Sequence, residues 1–100
     1  MFDKAKYLTS GIDATISLAA QTAMWQMIEV AQIKTQLDYL QIFKLTPGKL
    51  DGKPVQIIEH SQEVPPFHQT AAFSCSNPVM AKIYCIDDGD HATMCFPEER

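Results

Sequence analysis

His60, Ser61, Gln62 and Glu63 follow one another in "IEHSQEVPPFHQ", residues 58–69, just ahead of Pro65 and Pro66. An imidazole or a carboxylate can hold and release a proton, so His60 or Glu63 is a candidate general acid or base. Ser61 beside His60 resembles half of a nucleophile–base pair. Neighbours in an extended strand point to opposite faces, however, so these two cannot bond each other. Two other uses compete with catalysis. Polar side chains at a strand exit satisfy backbone groups released from a sheet, and prolines cannot donate to a ladder, so the strand starting near Val55 should end by Val64 or run along an exposed edge. Alternatively, Gln62 and Glu63 beside Phe67 form a polar rim with an aromatic anchor, which suits a partner contact. The strand-exit explanation is the plainest of the three.

Other constellations are weaker. "DDGDH", residues 87–91, groups three carboxylates with an imidazole but lacks the ligand ladder and distal glutamate of a calcium loop, and a solvated hairpin tip explains it. Cys75 in "FSCSNP" has His68 upstream, yet no recognisable protease-type motif surrounds it. Cys75, Cys85 and Cys95, an odd set at ten-residue gaps, fit neither a disulfide framework nor paired zinc ligands. No glycine-rich phosphate loop is present. The expectation is therefore no metal, no cofactor and no disulfide.

The chain that must position these residues has 100 of them, 46% hydrophobic and 20% charged, which is expected to make a single domain spanning residues 1–100. "MFDKAKYLTSG" interrupts the apolar run a secretory signal would need, and there is no apolar span of ~20 residues, so a cytoplasmic protein without membrane contact is expected. Residues 1–54 carry six lysines against five acids, whereas residues 55–100 carry seven acids against Lys82 and Arg100 alone. Nucleic-acid binding needs Lys and Arg on phosphates, and the sole arginine is the last residue, so direct binding to DNA or RNA is not expected.

"KAKYLTSGI" is a short strand candidate ending at Gly11. In "ISLAAQTAMWQMIEVAQIKTQ", Ala20, Met24, Met27, Ile28 and Ala31 recur at helical spacing with no Gly or Pro, and Ser17 is a suitable N-cap. Trp25 lies beside that stripe, where its indole either covers the rim of the core or stands partly exposed as a contact. "LDYLQIFKL" and "VQIIEH" read as strands joined by a long loop, "TPGKLDGKP". "AKIYCID" and "DHATMCF" flank Asp88-Gly89, the signature of a two-residue type I′ turn. That turn pairs 85 with 92 and 83 with 94, and puts Ala81, Ile83, Cys85, Ala92, Met94 and Phe96 on one apolar face. Lys82, Tyr84, Ile86, His91, Thr93 and Cys95 fall on the other, so Cys85 and Cys95 cannot pair. The fold class expected is α+β: two layers, one long helix on a mainly antiparallel sheet of four to five strands, in the order β-α-β-β-β-β.

"MWQMI", "LDYLQIFKL", "IIEHSQEVP" and "KIYCIDDGDHATMCFPEE", in that order along nearly the whole chain, resemble the family of small proteins from Gram-positive cocci known as Domain of Unknown Function 960. Its Leu-Asp-Tyr-Leu-Gln and His-Ser-Gln-Glu-x-Pro patterns fall on Leu37 to Gln41 and on His60 to Glu63 with Pro65. "SLAAQTAMW" and "QTAAFSCSNPVM" depart from the family. The resemblance implies no activity, cofactor or catalytic residue.

A non-catalytic protein-interaction module with an unknown protein partner is the leading expectation. Its candidate surface is His60, Gln62, Glu63, Phe67, Tyr84 and Trp25. The alternatives are a small enzyme whose acid or base, Glu63 or His60, works at a subunit interface, and an acidic inhibitor of a nucleic-acid-binding protein. Self-association through a sheet edge or Trp25 is compatible with each.

Overall fold

The computed structural model describes residues 5–100. The opening residues, including the start of the first strand candidate, lie outside the described residues. Strand β1 is Ala5–Leu8, followed by helices α1 (Ser10–Thr15) and α2 (Leu18–Lys34), then β2 (Leu40–Leu50), β3 (Lys53–Gln62), β4 (Phe67–Ser74), β5 (Ala81–Asp87) and β6 (His91–Cys95). A single 3-10 turn, Pro97–Glu99, closes the described chain.

Both helix starts are written in the sequence. Thr9 Oγ1 accepts from Ile12 N at 3.3 Å, so the first strand candidate gives way to α1 before Gly11 rather than running to it. Ser17 Oγ accepts from Ala20 N at 3.2 Å and opens α2 where expected. Ala20, Met24, Met27, Ile28 and Ala31 are buried, which is the stripe the helical spacing predicts.

The sheet has six strands in the order β1-β6-β5-β2-β3-β4, not four or five. It is mixed, because β1 pairs parallel with β6. The missed strand is β4, where Phe67, Gln69, Ala71 and Phe73 alternate with exposed His68, Thr70, Ala72 and Ser74. Two alanines and a glutamine flatten the contrast that marks a strand.

The link between β2 and β3 also differs from the long loop expected. Strand β2 runs on through Pro47 and Gly48, and the chain reverses at Asp51 and Gly52, both with positive φ (51° and 78°), the geometry of a type I′ turn. Pro47 lies beyond the last β2–β5 partners, Leu45 and Ala81, where one side of the strand is unpaired and a missing N–H breaks no ladder there. At Gly48 a Cβ would collide with the side chain of Ile57.

Asp88-Gly89 is not the turn pair. Cys85 faces Met94 and Asp87 faces Ala92, and Asp88 N donates to His91 O at 2.8 Å, leaving Gly89 and Asp90 at the tip. The register is therefore shifted by two residues. Gly89 takes φ 95° at the first tip position, while Thr93 Oγ1 donates to Asp88 Oδ2 at 3.0 Å and ties Asp88 into the hairpin. An even shift leaves every side chain on its face. Ile83, Cys85, Ala92 and Met94 are fully buried, and Cys85 and Cys95 point to opposite sides as expected.

The helices contribute Ile12, Met24 and Ile28 to a core against Phe43, Leu45 and Ile58 of the sheet. Among the described residues the helices cover only this sheet face, giving the two-layer α+β arrangement; on the face without helices, Cys95 and Val55 are nonetheless buried.

Candidate functional site

On the helix side, Gln41 and Phe43 of β2 meet His60 and Gln62 of β3. His60 is paired with Phe43 across the strands and is fully buried. The two rings stack with centroids 4.4 Å apart and planes 13° apart. The edge of Phe67 completes the cage at 6.1 Å.

Every polar atom in this apolar setting has a partner. Gln69 Nε2 donates to His60 Nδ1 at 2.9 Å and to Met27 O of α2 at 2.7 Å. An amide nitrogen only donates, so Nδ1 accepts and the ring proton lies on Nε2, which donates to Gln41 Oε1 at 2.6 Å. Gln41 Nε2 donates to Gln62 Oε1 at 2.8 Å and to Asp38 O at 2.9 Å. Gln62 Nε2 then donates to Gln36 O at 2.9 Å and Pro65 O at 2.8 Å. One chain of bonds thus joins α2, β4, β3, β2 and the turn that holds the cis Val64–Pro65 peptide. Among the described residues no buried side-chain nitrogen or oxygen lacks a partner.

Burial, with a smaller contribution from the charge of His68, lowers His60 to about 4. The ring is neutral, closed to solvent and occupied at both nitrogens. Such an imidazole holds structure and has no free lone pair to offer a substrate.

The six candidate surface residues therefore do not form one surface. His60 and Gln62 are inside and cannot touch a partner; Phe67 is half-buried on the same side. Glu63 is exposed at the β3–β4 turn, Trp25 is half-buried on α2 with the Lys6 ammonium 5.8 Å from its ring, and Tyr84 lies on the opposite sheet face.

That second face carries the features sequence reasoning did not assemble. Lys44 is the direct cross-strand partner of Lys82 on β5 and of Glu59 on β3. Lys82 Nζ and Arg100 Cζ each stand 5.7 Å from the ring of Tyr84. Arg100 Nη2 also donates to Tyr39 Oη at 3.3 Å. Beside the lysines lies an open depression of about 610 Å³ lined by Ile42, Ser61, His68 and Met80 with Glu59, whose Oε1 is 3.9 Å from His68 Nε2. Alternation alone assigns Lys82 and Tyr84 to this face. Lys44 joins them only through the β2–β5 pairing, which links residues some forty positions apart and leaves no local signal.

A second depression, of about 630 Å³, lies where α1 meets α2, and Ser17, Gln21, Gln56, Cys75 and Asn77 line it. Gln56 is committed to the backbone: it accepts from Val79 N at 2.8 Å and donates to Val79 O and Thr46 O at 3.0 Å each. Cys75 and His68 line different depressions, so the structure does not assemble them into a thiol–base pair. All three cysteines are free. Among the described residues no group of three or more His, Cys, Asp or Glu side chains is arranged to hold a metal ion, and at the DDGDH tip Gly89 N donates to Asp87 Oδ1 at 2.9 Å.

The family described as "Staphylococcal protein of unknown function (DUF960)" matches residues 5–99. The chain belongs to this family. A solved relative in structure is a protein of unknown function from Enterococcus faecalis, 24% identical, with 98% of this chain and 92% of that chain covered and a TM-score of 0.78. That likeness establishes the fold alone. No curated protein matches. In this DUF960 chain the two blocks on which the resemblance chiefly rested, "LDYLQ" and "HSQEVP", meet in space. Asp38, Gln41, His60, Gln62 and Pro65 all belong to the one buried hydrogen-bonded chain.

Proposed function

We propose that this DUF960 protein is a non-catalytic protein-binding module that works through the uncovered face of its sheet. One observation carries the reading. The helices cover a single face, and the other presents Ile42, Tyr84 and Ile86, each only half-buried, within a mixed border of Lys44, Ser61, His68 and Lys82. An apolar centre with a polar rim is the composition of a surface that exchanges partners. Met80, 78% exposed, extends the apolar part at one edge. The same reading puts the protein in the cytoplasm, with its free thiols as support; no helix among the described residues is long and apolar enough to cross a membrane.

The test is an affinity pull-down of the tagged protein from lysate of its native cell, compared with an Ile42→Glu/Ile86→Glu variant of verified fold. Gln62 is unsuitable for this purpose, because its buried amide makes Gln62→Ala a test of folding. A partner captured by the native chain and lost by the variant supports the module. Equal capture by both, or no specific partner for the native chain, removes the reading. A second copy of the chain counts as a partner, and light scattering identifies that case.

A further inference from the structure

We infer that the uncovered face binds an acidic peptide segment of its partner, whose carboxylates lie along Lys44, Lys82 and Arg100. This rests on the protein-binding reading and names the chemistry of the partner.

The chain carries a formal net charge of −4, and its C-terminal half holds seven acids against two cations. Those two cations, Lys82 and Arg100, converge on the one ring of Tyr84, and the fold sets Lys44 directly opposite Lys82. Like charges facing each other across an antiparallel pair repel, which a sheet normally avoids or offsets. Among the described residues, neither ammonium has a carboxylate within ion-pair distance. Glu59, directly opposite Lys44 on β3 and 3.9 Å from His68, offsets part of the charge of Lys44, while the β2 residue opposite Lys82 is Lys44 itself. An anion placed between the lysines relieves that repulsion and gains two charge-assisted contacts.

The shape selects the class of anion. The depression is open along the sheet, whereas a small-molecule site encloses most of its ligand. Ile42, Met80 and the Tyr84 ring give an extended peptide places for its alternate apolar side chains. The cationic band is also short, with Glu59 at one flank and Glu98 and Glu99 beside Arg100 at the other. A long polyphosphate would run past it onto these acids, while a segment with a few carboxylates fits within it.

The probe is a hexaglutamate peptide, titrated at low salt into the full chain and followed by amide chemical shifts, with hexaglutamine and inorganic phosphate as controls. Saturable shifts at Lys44, Lys82 and Tyr84 are expected with hexaglutamate and not with hexaglutamine. Lys44→Gln/Lys82→Gln, at two exposed positions, should weaken binding by about tenfold, the scale of two exposed charge contacts. Glu59→Gln should strengthen it, a change no merely structural role predicts. Absence of shifts, equal binding by the double lysine variant, or phosphate binding as well as the peptide does would each overturn the acidic-peptide assignment. If Ile42→Glu/Ile86→Glu loses the cellular partner while Lys44→Gln/Lys82→Gln keeps it, the module stands and this assignment fails.

Discussion

The imidazole of His60 lies parallel to the ring of Phe43 on the neighbouring strand, 4.4 Å from it, with no solvent contact and both nitrogens bonded. A proton added there would be a buried charge and would displace the Gln69 amide from Nδ1. Burial is why His60 titrates at about 4 rather than 6.5. Between those values the unfolded chain takes up a proton that the folded chain refuses. The contribution is fully present above about 6.5 and is lost as the pH falls towards 4. At ~1.4 kcal/mol per pH unit, the loss through this one group is about 3 kcal/mol. Urea unfolding at pH 7 and near pH 4 measures it. His60→Asn should be less stable at pH 7 and show a flatter pH dependence; an unchanged slope would reject the assignment.

Gln41 bridges His60 to Gln62, so Gln41→Leu strands His60 Nε2–H and removes one of the donors to Gln62 Oε1, although leucine suits the apolar setting. The cost should be about 1–3 kcal/mol, the range for orphaned buried polar groups. Denaturant midpoints supply the value. Lys44→Gln, three residues along and exposed, should stay within ~0.5 kcal/mol of the parent.

Local patterns made part of this fold legible. The α2 stripe and its Ser17 cap are set by residues within one or two turns. The faces of β5 and β6 also follow from alternation, even though the turn lies two residues from the Asp-Gly pair. The real type I′ turn, Asp51-Gly52, was hidden behind Pro47 and Gly48, which read as loop until the end of the β5 pairing is known. His60 and Gln62 looked like surface residues because polarity argues for solvent. Their partners, Gln41 and Gln69, sit on strands nineteen or more residues and nine residues away, and β4 carries too weak an alternation to mark it as a strand, so nothing local announces a buried network.

Gly48 has a packing role rather than a turning one. A methyl there would meet Ile57, its near neighbour across the β2–β3 pair. Gly48→Ala should cost at most about 1 kcal/mol, the low end of the range for overpacking, because the atom it meets first is the tip of the half-buried Ile57 side chain, which can turn away. Ile57→Ala opens the space, so the double variant should be more stable than the sum of the single losses implies. Additive losses would show that the collision is absorbed elsewhere.

The three thiols should separate by reactivity with an aromatic disulfide reagent. Cys85 is fully buried, and burial pushes its thiol well above the ordinary value, so little of the reactive thiolate exists. Cys95 is shielded on the other face, where burial and then Glu99 raise its pKa. Cys75 is partly exposed beside the α1–α2 junction. In the native state Cys75 alone should react quickly, and Cys85 and Cys95 should follow at the rate of unfolding. Because Cys85 packs against the helix layer and Cys95 lies opposite it, their rates report on different events. Coincident release of both would indicate cooperative opening, whereas earlier release of Cys95 would locate a local opening at the C-terminal turn. That second outcome would expose the flank where Arg100 meets Tyr84. Fast labelling of Cys85 in the native state would contradict the core packing itself.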